Sequence, residues 1–368
     1  VRPAAKRRPS PTASDPMTLV RYVRVALALL VTSAVAGGQP GAAPSTVTPV
    51  RWIVTRDAAS DLWFHSLAVL RISGPGALPF YDDTYADTIV LAKRRRRGTT
   101  LLDRRSVVLR RALLGDREFE LLHFLPFYLT RTQPLELTAL LRRVASPTTG
   151  GDSPTDVESA LRAHFTRESQ RRVLLELADA IDDEWRGFYA SYAAATSADE
   201  ARRIRALQAR WDEVYAPRLD AWFRALDIPR GVFVVTPALG AEGRIVTLGE
   251  AGTVVAVSAW RGSSSPDAPL LAAVRELCFP ALQRMTPNAP SARDASISSS
   301  RAAVRCGALL LDAFFPAAAD EYRSLFVDPE PGETRAALRQ RFEARFHVEE
   351  TTLQHLSTNI ARLTASTP

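Results

Sequence analysis

The hydrophobic pattern of the chain changes at residue 231, and this change constrains the fold more than any other feature. Residues 49–230 carry apolar side chains mostly at helical spacing, with a short strand-like run at 51–55. Three short runs rich in β-branched residues follow, separated by glycine-containing turns. They are residues 231–236, 243–248 and 253–258. The sequence predicts a predominantly helical α+β protein, in which a helical region (49–230) is followed by a small three- to four-stranded sheet packed on helices (231–368).

Two long helices are predicted near the end of the helical region. The first covers residues 169–192, and Ser197 to Glu200 have the form of a capping box that starts the second. Pro217 is expected to kink this second helix. Closer to the N-terminus, Ser60 is a predicted N-cap, and residues 119–129 are apolar on all sides, which predicts a buried helix. Beyond the strands, the pattern predicts helices at 267–282, 301–315, 333–346 and 349–363, with a polar loop at 286–300.

The histidines and the acidic residues show no pattern typical of a catalytic or metal site. The five histidines are scattered without ligand spacing, and His65 and His123 are interpreted as core residues. The acidic run 182–184 is interpreted as a solvated helix face, because consecutive helical residues point in different directions. The basic run 93–97 is interpreted as a solvated helix end, with contact to an anionic surface as the alternative. The sequence also contains no nucleophile elbow and no phosphate-binding glycine loop.

The start of the chain has the organisation of a secretory signal peptide. Residues 17–36 combine a basic segment, an apolar run too short to cross a membrane, and a cleavage site at Ala34 to Ala36. Residues 1–16 are interpreted as an overlong start, and residues 37–48 as a flexible linker. No cysteine stands at the cleavage point, so no lipid anchor is expected. We therefore expect an exported protein, periplasmic or extracellular, with no transmembrane anchor after cleavage.

The charge balance argues against nucleic acid as a partner. The whole chain has a formal charge of +7, but residues 1–36 contain six basic groups and one acidic group. Removal of this leader leaves a net charge of roughly +2, which is far from the basic footprint of a nucleic-acid-binding protein.

Cys278 and Cys306 are the only cysteines of the chain. In an exported protein such a pair favours a disulfide bond, which would stabilise the fold by about 3 kcal/mol in the chain-entropy picture. Two buried free thiols are the alternative.

The segment that begins with the three strand-like runs resembles the core of gluzincin-type zinc metallopeptidases. In that family, strands precede a helix carrying H-E-x-x-H, whose two histidines bind Zn²⁺ while the glutamate activates water. A later helix supplies an acidic third ligand. The resemblance covers about residues 231–325, and the motif position reads Arg275-Glu276-Leu277-Cys278-Phe279. The resemblance implies that Glu276 stands at the position of the general base.

The altered motif predicts that zinc chemistry is absent. Arg275 and Phe279 stand where the histidine ligands belong, and a fixed guanidinium charge or a phenyl ring cannot replace a neutral imidazole. Three acids on the following segment have no histidine pair to join: Asp312, Asp320 and Glu321. We expect no metal and no cofactor, and we expect Glu276 to pair with a cation such as an arginine or to cap a polar network.

Together these patterns favour an exported, non-catalytic protein with a degenerate metallopeptidase-like core that binds a protein or peptide in the cell envelope. One alternative is an active hydrolase that uses Glu276 with partners the sequence does not reveal. Another is a structural helical envelope protein. The surroundings of Glu276 distinguish these hypotheses most directly.

Overall fold

The computed structural model describes residues 50–72, 78–128, 133–146, 155–248, 252–258, 265–285 and 292–365. The predicted overlong start, signal peptide and linker lie outside the described residues. None of the described helices is long and apolar enough to cross a membrane.

The described residues form a small sheet and a large set of helices. The strands are β1 (Arg51–Thr55), β2 (Arg230–Thr236), β3 (Arg244–Thr247) and β4 (Thr253–Ser258). The α-helices are α1 (Ala58–Val69), α2 (Asp83–Arg95), α3 (Leu101–Gly115), α4 (Glu136–Ala145), α5 (Asp156–His164), α6 (Glu168–Glu184), α7 (Ala190–Arg210), α8 (Ala216–Ala225), α9 (Ala268–Leu277), α10 (Phe279–Met285), α11 (Ala292–Phe314), α12 (Pro316–Ser324), α13 (Arg335–Arg345) and α14 (Glu350–Ala365). The predicted α+β class with predominant helix is confirmed.

The sheet has the strand order β1-β2-β4-β3. β1, β2 and β4 run parallel, while β3 lies antiparallel to β4 at one edge. The strand nearest the start of the chain thus pairs with the first of the three later strands, with Trp52 opposite Gly231. All three strand-like runs beyond residue 231 are confirmed, and the run at 51–55 supplies the fourth strand.

The sheet separates two hydrophobic cores. Because side chains alternate between the faces of a strand, Phe233 and Val255 enter one core while Val234 and Val254 enter the other. The first core is completed by α8 to α14, and the second by α1 to α6. The cores therefore divide along the faces of the sheet and not at residue 230. Because both faces of the sheet are buried, the sequences of β2 and β4 are apolar at nearly every position.

The chain from α6 to α8 is one continuous helix that contains two π-helical turns, Trp185–Tyr189 and Trp211–Tyr215. The predicted capping box is therefore wrong. Ser197 lies inside α7, where its hydroxyl donates to the Ala194 carbonyl at 3.0 Å. The alanine-rich sequence around it favours continued helix over a cap.

The second π turn lies directly before Pro217. Ala216 N–H donates to the carbonyl of Trp211, five residues back. This wider bonding register helps the helix to accommodate a residue that has no N–H of its own, so helix continues on both sides of the proline.

Three further predicted boundaries are wrong. Asp57, not Ser60, caps α1, and its carboxylate accepts the Ser60 N–H at 2.8 Å. The segment predicted as one buried helix at 119–129 forms two 3₁₀ segments, Arg117–His123 and Leu125–Tyr128. α11 begins at Ala292, so part of the predicted polar loop is helical. Serine-rich sequence has a low helix propensity, which the remainder of this long helix overrides.

Candidate functional site around Glu276 and the outer edge of β3

Arg275 and Glu276 lie in the last turn of α9, and both are buried. Pro269 stands in the first turn of this helix, where its missing N–H has no cost. Leu271 and Val274 are fully buried and anchor the helix in the first core. This anchoring holds the two charged residues of the motif position inside the protein rather than at its surface.

The Glu276 carboxylate is held by the start of β3 and by its neighbour in sequence. Glu276 Oε1 accepts the backbone N–H of Gly243 at 3.0 Å and pairs with Arg275 Nη1. A Cβ at position 243 would lie 2.4 Å from the Ala256 carbonyl oxygen and 2.9 Å from Glu276 Cγ, so only glycine permits this approach. Burial raises the pKa of Glu276 against the opposing charge of Arg275.

Arg275 fills the space around the motif with a fixed positive charge. Its Nη2 donates to Ser300 Oγ at 2.8 Å and lies 3.8 Å from Glu242 Oε2. Its guanidinium also lies 5.1 Å from the ring centroid of Phe279. The two residues that stand where the resemblance places histidine ligands therefore contact each other.

Arg244 extends this polar network toward the second core. Its Nη1 donates to Glu242 Oε1 at 2.6 Å, and its guanidinium lies 3.8 Å from the ring centroid of Phe80. Next to Phe80, His123 is buried and its Nδ1 lies 2.8 Å from the Tyr81 hydroxyl. Burial and the charge of Arg244 lower the pKa of His123 to about 3, so this histidine is a neutral core residue, as predicted.

A cysteine pair joins α9 to α11. Cys278 and Cys306 lie at the distance of a disulfide bond, with 6.0 Å between their Cα atoms. Both side chains are fully buried in the first core. The predicted pairing thus fixes the C-terminal end of the helix that carries Glu276.

The structure does not gather the other predicted acids around Glu276. Asp312 and Asp320 both pair with the buried guanidinium of Arg323. In the part of the chain that the structure describes, no group of His, Cys, Asp and Glu side chains is arranged to hold a metal ion. The chemistry available at Glu276 is that of a buried ion pair and a backbone cap.

β3 has an open outer edge beside α9. Leu248 N–H donates to the Gly252 carbonyl at 2.8 Å, which sets the alternation of bonded pairs between β3 and β4. By this alternation, Ile245 and Thr247 direct their backbone N–H and C=O groups away from β4. Within the described ranges, no backbone or side-chain group bonds to them there. These four groups are called the outer edge of β3 below, and Glu276 caps the Gly243 N–H at its beginning.

The opposite edge of the sheet is closed by a side chain. Gln208 of α7 accepts the Val54 N–H of β1 at 2.6 Å and donates to the Trp52 carbonyl at 3.2 Å. Its amide thus takes the place of a neighbouring strand. Asp212 Oδ1 accepts a further bond from the same amide at 2.9 Å and holds it in position.

A second buried network surrounds Glu184. The sequence predicted that this residue belongs to a solvated helix face, formed by the acidic run 182–184. This interpretation is wrong, because Glu184 is fully buried. Its carboxylate accepts bonds from Lys93 Nζ at 2.6 Å, from Thr100 Oγ1 at 2.5 Å and from His65 Nε2 at 2.8 Å. Burial acts to raise the pKa of Glu184, but the bond to His65 and the charge of Lys93 outweigh it and hold the pKa at about 2.

His65 is a core histidine in this network, as predicted. Burial lowers its pKa against the bond to Glu184. Its Nδ1 lies 2.8 Å from the Tyr85 hydroxyl, which completes its hydrogen bonding.

One signal in the sequence points to the buried Lys93. Lys93 is the only lysine after residue 36, where all other Lys or Arg positions are arginine. A compact ammonium with three donors fits a closed cluster of oxygens, whereas a guanidinium fork does not. Lys93 therefore does not belong to a solvated helix end, and only the arginines that follow it are exposed.

Comparison of the chain with protein-family models, with curated proteins and with solved structures gives no match. The geometry of the site therefore carries the functional argument by itself.

Proposed function

We propose that this chain is an exported, non-catalytic protein that binds an extended segment of another protein along the outer edge of β3. Its core is a degenerate form of a metallopeptidase-like core, in which Arg275 and Phe279 have replaced the zinc ligands. The observation that carries the proposal is the contrast between the two edges of the sheet. Gln208 closes β1, whereas the backbone groups of Ile245 and Thr247 on β3 have no described partner.

An extended peptide is the chemical complement of such an edge. Unpaired N–H and C=O groups along a strand form a template for another strand, and proteins usually protect them. An added strand would supply main-chain hydrogen bonds, and side chains next to the edge would provide selectivity. Partly buried Ile245 and exposed Thr247 offer one apolar and one polar contact.

The surroundings of Glu276 support a non-catalytic core. A general base needs access to the proton it removes, and Glu276 is 2% exposed. Its Oε1 is already bound to Gly243 and Arg275. The residue therefore serves to fix the start of β3, the strand to which the peptide would bind.

A library of random linear peptides displayed on phage tests the binding proposal. Selected peptides should slow amide hydrogen exchange at Ile245 and Thr247. Ile245→Pro removes an outward N–H without breaking a bond to β4, because proline is tolerated at an exposed strand edge. This variant should bind the selected peptides at least tenfold more weakly, while Ile245→Val, which keeps the N–H, should bind them normally.

The proposal fails if selected peptides bind both variants equally, or if they leave exchange at the two amides unchanged. A selection that yields no binder would favour a structural role. Peptide hydrolysis that a chelator abolishes would favour the active hydrolase.

Export is part of the same proposal. The cysteine pair at bonding distance is compatible with an oxidising compartment. Sequencing of the mature N-terminus should give a start near Gly37. A native protein that begins at or before Met17 would contradict export by cleavage.

A further inference from the structure

α3 has a buried face and an opposite face that is exposed. Its buried residues pack toward α6: Leu102, Leu109 and Leu113. The opposite face follows the helical spacing i, i+3, i+4, i+7 from Arg104 through Val107 and Val108 to Arg111. Val107 is 73% exposed, Val108 is 62% exposed and Leu114 is 44% exposed. Exposed aliphatic side chains thus alternate with arginines along one helix.

Positive charge is concentrated on this helix and on the segment before it. Residues 94–111 contain eight arginines and a single acidic residue, Asp103. Asp103 is already bound by Lys93 at 2.8 Å. Seven of the arginines form no ion pair with a described carboxylate: Arg94, Arg95, Arg96, Arg97, Arg104, Arg110 and Arg111. Although the net charge after leader removal is only roughly +2, the positive charge is unevenly distributed and one surface is strongly basic.

We propose that this surface binds anionic phospholipid bilayers, with α3 lying in the plane of the headgroups. The α3 surface consists of Arg104, Val107, Val108, Arg110, Arg111 and Leu114. At about 100° per residue, five of these side chains fall within about 120° of the helix circumference and Arg110 lies at the margin, so the five face a flat surface together. The aliphatic groups enter the boundary between headgroups and acyl chains, and the arginines extend outward to the lipid phosphates.

The aliphatic residues distinguish a bilayer from other polyanions. A nucleic acid would use the arginines but would leave Val107 and Val108 in water, because backbone binding is electrostatic. A bilayer uses both kinds of side chain, because interfacial helices combine apolar burial with attraction to anionic lipids. This inference is independent of peptide binding, since α3 and β3 belong to different parts of the fold.

Vesicle co-sedimentation tests the proposal on protein purified from cells that express the full chain. Binding should be strong to vesicles containing phosphatidylglycerol, weak to pure phosphatidylcholine, and reduced by salt. Each arginine near an anionic surface contributes roughly a fivefold change in partitioning. The double variant Arg110→Gln, Arg111→Gln should therefore bind at least tenfold more weakly. Val107→Gln with Val108→Gln should reduce binding several-fold, and glutamine at exposed helical positions preserves the helix.

The matched control removes the same charge from another exposed helix surface, by Arg202→Gln with Arg205→Gln on α7. This control should bind vesicles normally. As an independent readout, the single variant Val107→Trp should show a blue shift of tryptophan fluorescence on anionic vesicles that the native chain does not show. The proposal is overturned by equal binding to phosphatidylcholine, by equal loss in the control, or by an unshifted emission of the vesicle-bound Val107→Trp variant. It is also overturned if the variant with both valines replaced binds vesicles and duplex DNA as strongly as the native chain.

Discussion

Glu184 and Glu276 are both buried carboxylates near the end of a helix, but their surroundings differ. Glu184 accepts bonds from three side chains on separate parts of the chain, one of them the ammonium of Lys93. Glu276 accepts a backbone N–H and an arginine adjacent in sequence, with Glu242 as a competing negative charge. The pKa is lowered to about 2 in the first case and raised in the second.

This comparison shows that burial alone does not decide the state of a carboxylate. The bond from His65 and the charge of Lys93 keep Glu184 ionised. Lys93 also binds Asp103, so its ammonium links α2 to both α3 and α6. At Glu276 the charge of Arg275 does not offset burial, and the charge of Glu242 raises the pKa further. Glu276, the carboxylate at the motif position, is therefore less stabilised in its ionised form than Glu184. The following predictions test this difference, beginning with the largest expected effect.

Lys93→Met should be the most destabilising of these changes, by about 3–5 kcal/mol. It removes the cation from a buried pair and leaves the Glu184 carboxylate without compensation. Arg94→Met, one residue further along, changes an exposed side chain and should stay within about 0.5 kcal/mol of the native protein. Urea unfolding at neutral pH measures both values. Similar stabilities of the two variants would show that the Glu184 network is not a structural ion pair.

Glu184→Gln should lower stability by about 3 kcal/mol above pH 5, which is the linkage energy of a pKa shifted from 4.5 to about 2. A lowered folded-state pKa stabilises the protein above the unfolded pKa, and this contribution is lost as the pH falls through the folded pKa. The difference from the native protein should therefore decrease between about pH 5 and pH 2. Unfolding curves across this range measure it. A difference independent of pH would contradict an ionised Glu184.

Replacement of both cysteines by serine should cost about 2–3 kcal/mol, the usual effect of losing a disulfide of this loop length. The Glu276 region should loosen while the Glu184 region does not, because the bond joins α9 to α11. Hydrogen exchange should accelerate at Gly243 N–H, with backbone amides near Glu184 as the internal control. Equal acceleration at both sites would indicate that the two networks unfold as one unit.

Glu276→Gln should have the smallest effect, within about 1 kcal/mol at neutral pH, because the buried guanidinium of Arg275 keeps Ser300 and Glu242 as partners. A raised folded-state pKa means that the ionised form costs stability as the pH rises through that pKa, so a neutral amide removes this cost. The amide oxygen still accepts the Gly243 N–H. We expect no stoichiometric zinc in either protein by elemental mass spectrometry. Bound zinc, or a chelator-sensitive peptidase activity lost in the variant, would favour the active hydrolase.

The features that the sequence predicted correctly are those encoded by local pattern. The β-branched runs define the four strands, and Glu276 pairs with an arginine as expected, although the sequence did not identify the adjacent Arg275 as that partner. The features it missed depend on distant contacts. Lys93 and Glu184 are 91 positions apart, and Val54 and Gln208 are 154 positions apart. Local periodicity predicted a solvated position for Glu184, because the residues that bind its carboxylate lie far away in the sequence.

The closure of β1 by Gln208 sets how many neighbours a copy of this sheet can accept. A sheet with two open edges is divalent, and successive copies can add without limit into a fibre. With one edge sealed, the sheet is monovalent, so pairing through β3 ends at two copies or at one peptide. A single glutamine amide thereby makes the difference between a terminating contact and a propagating one.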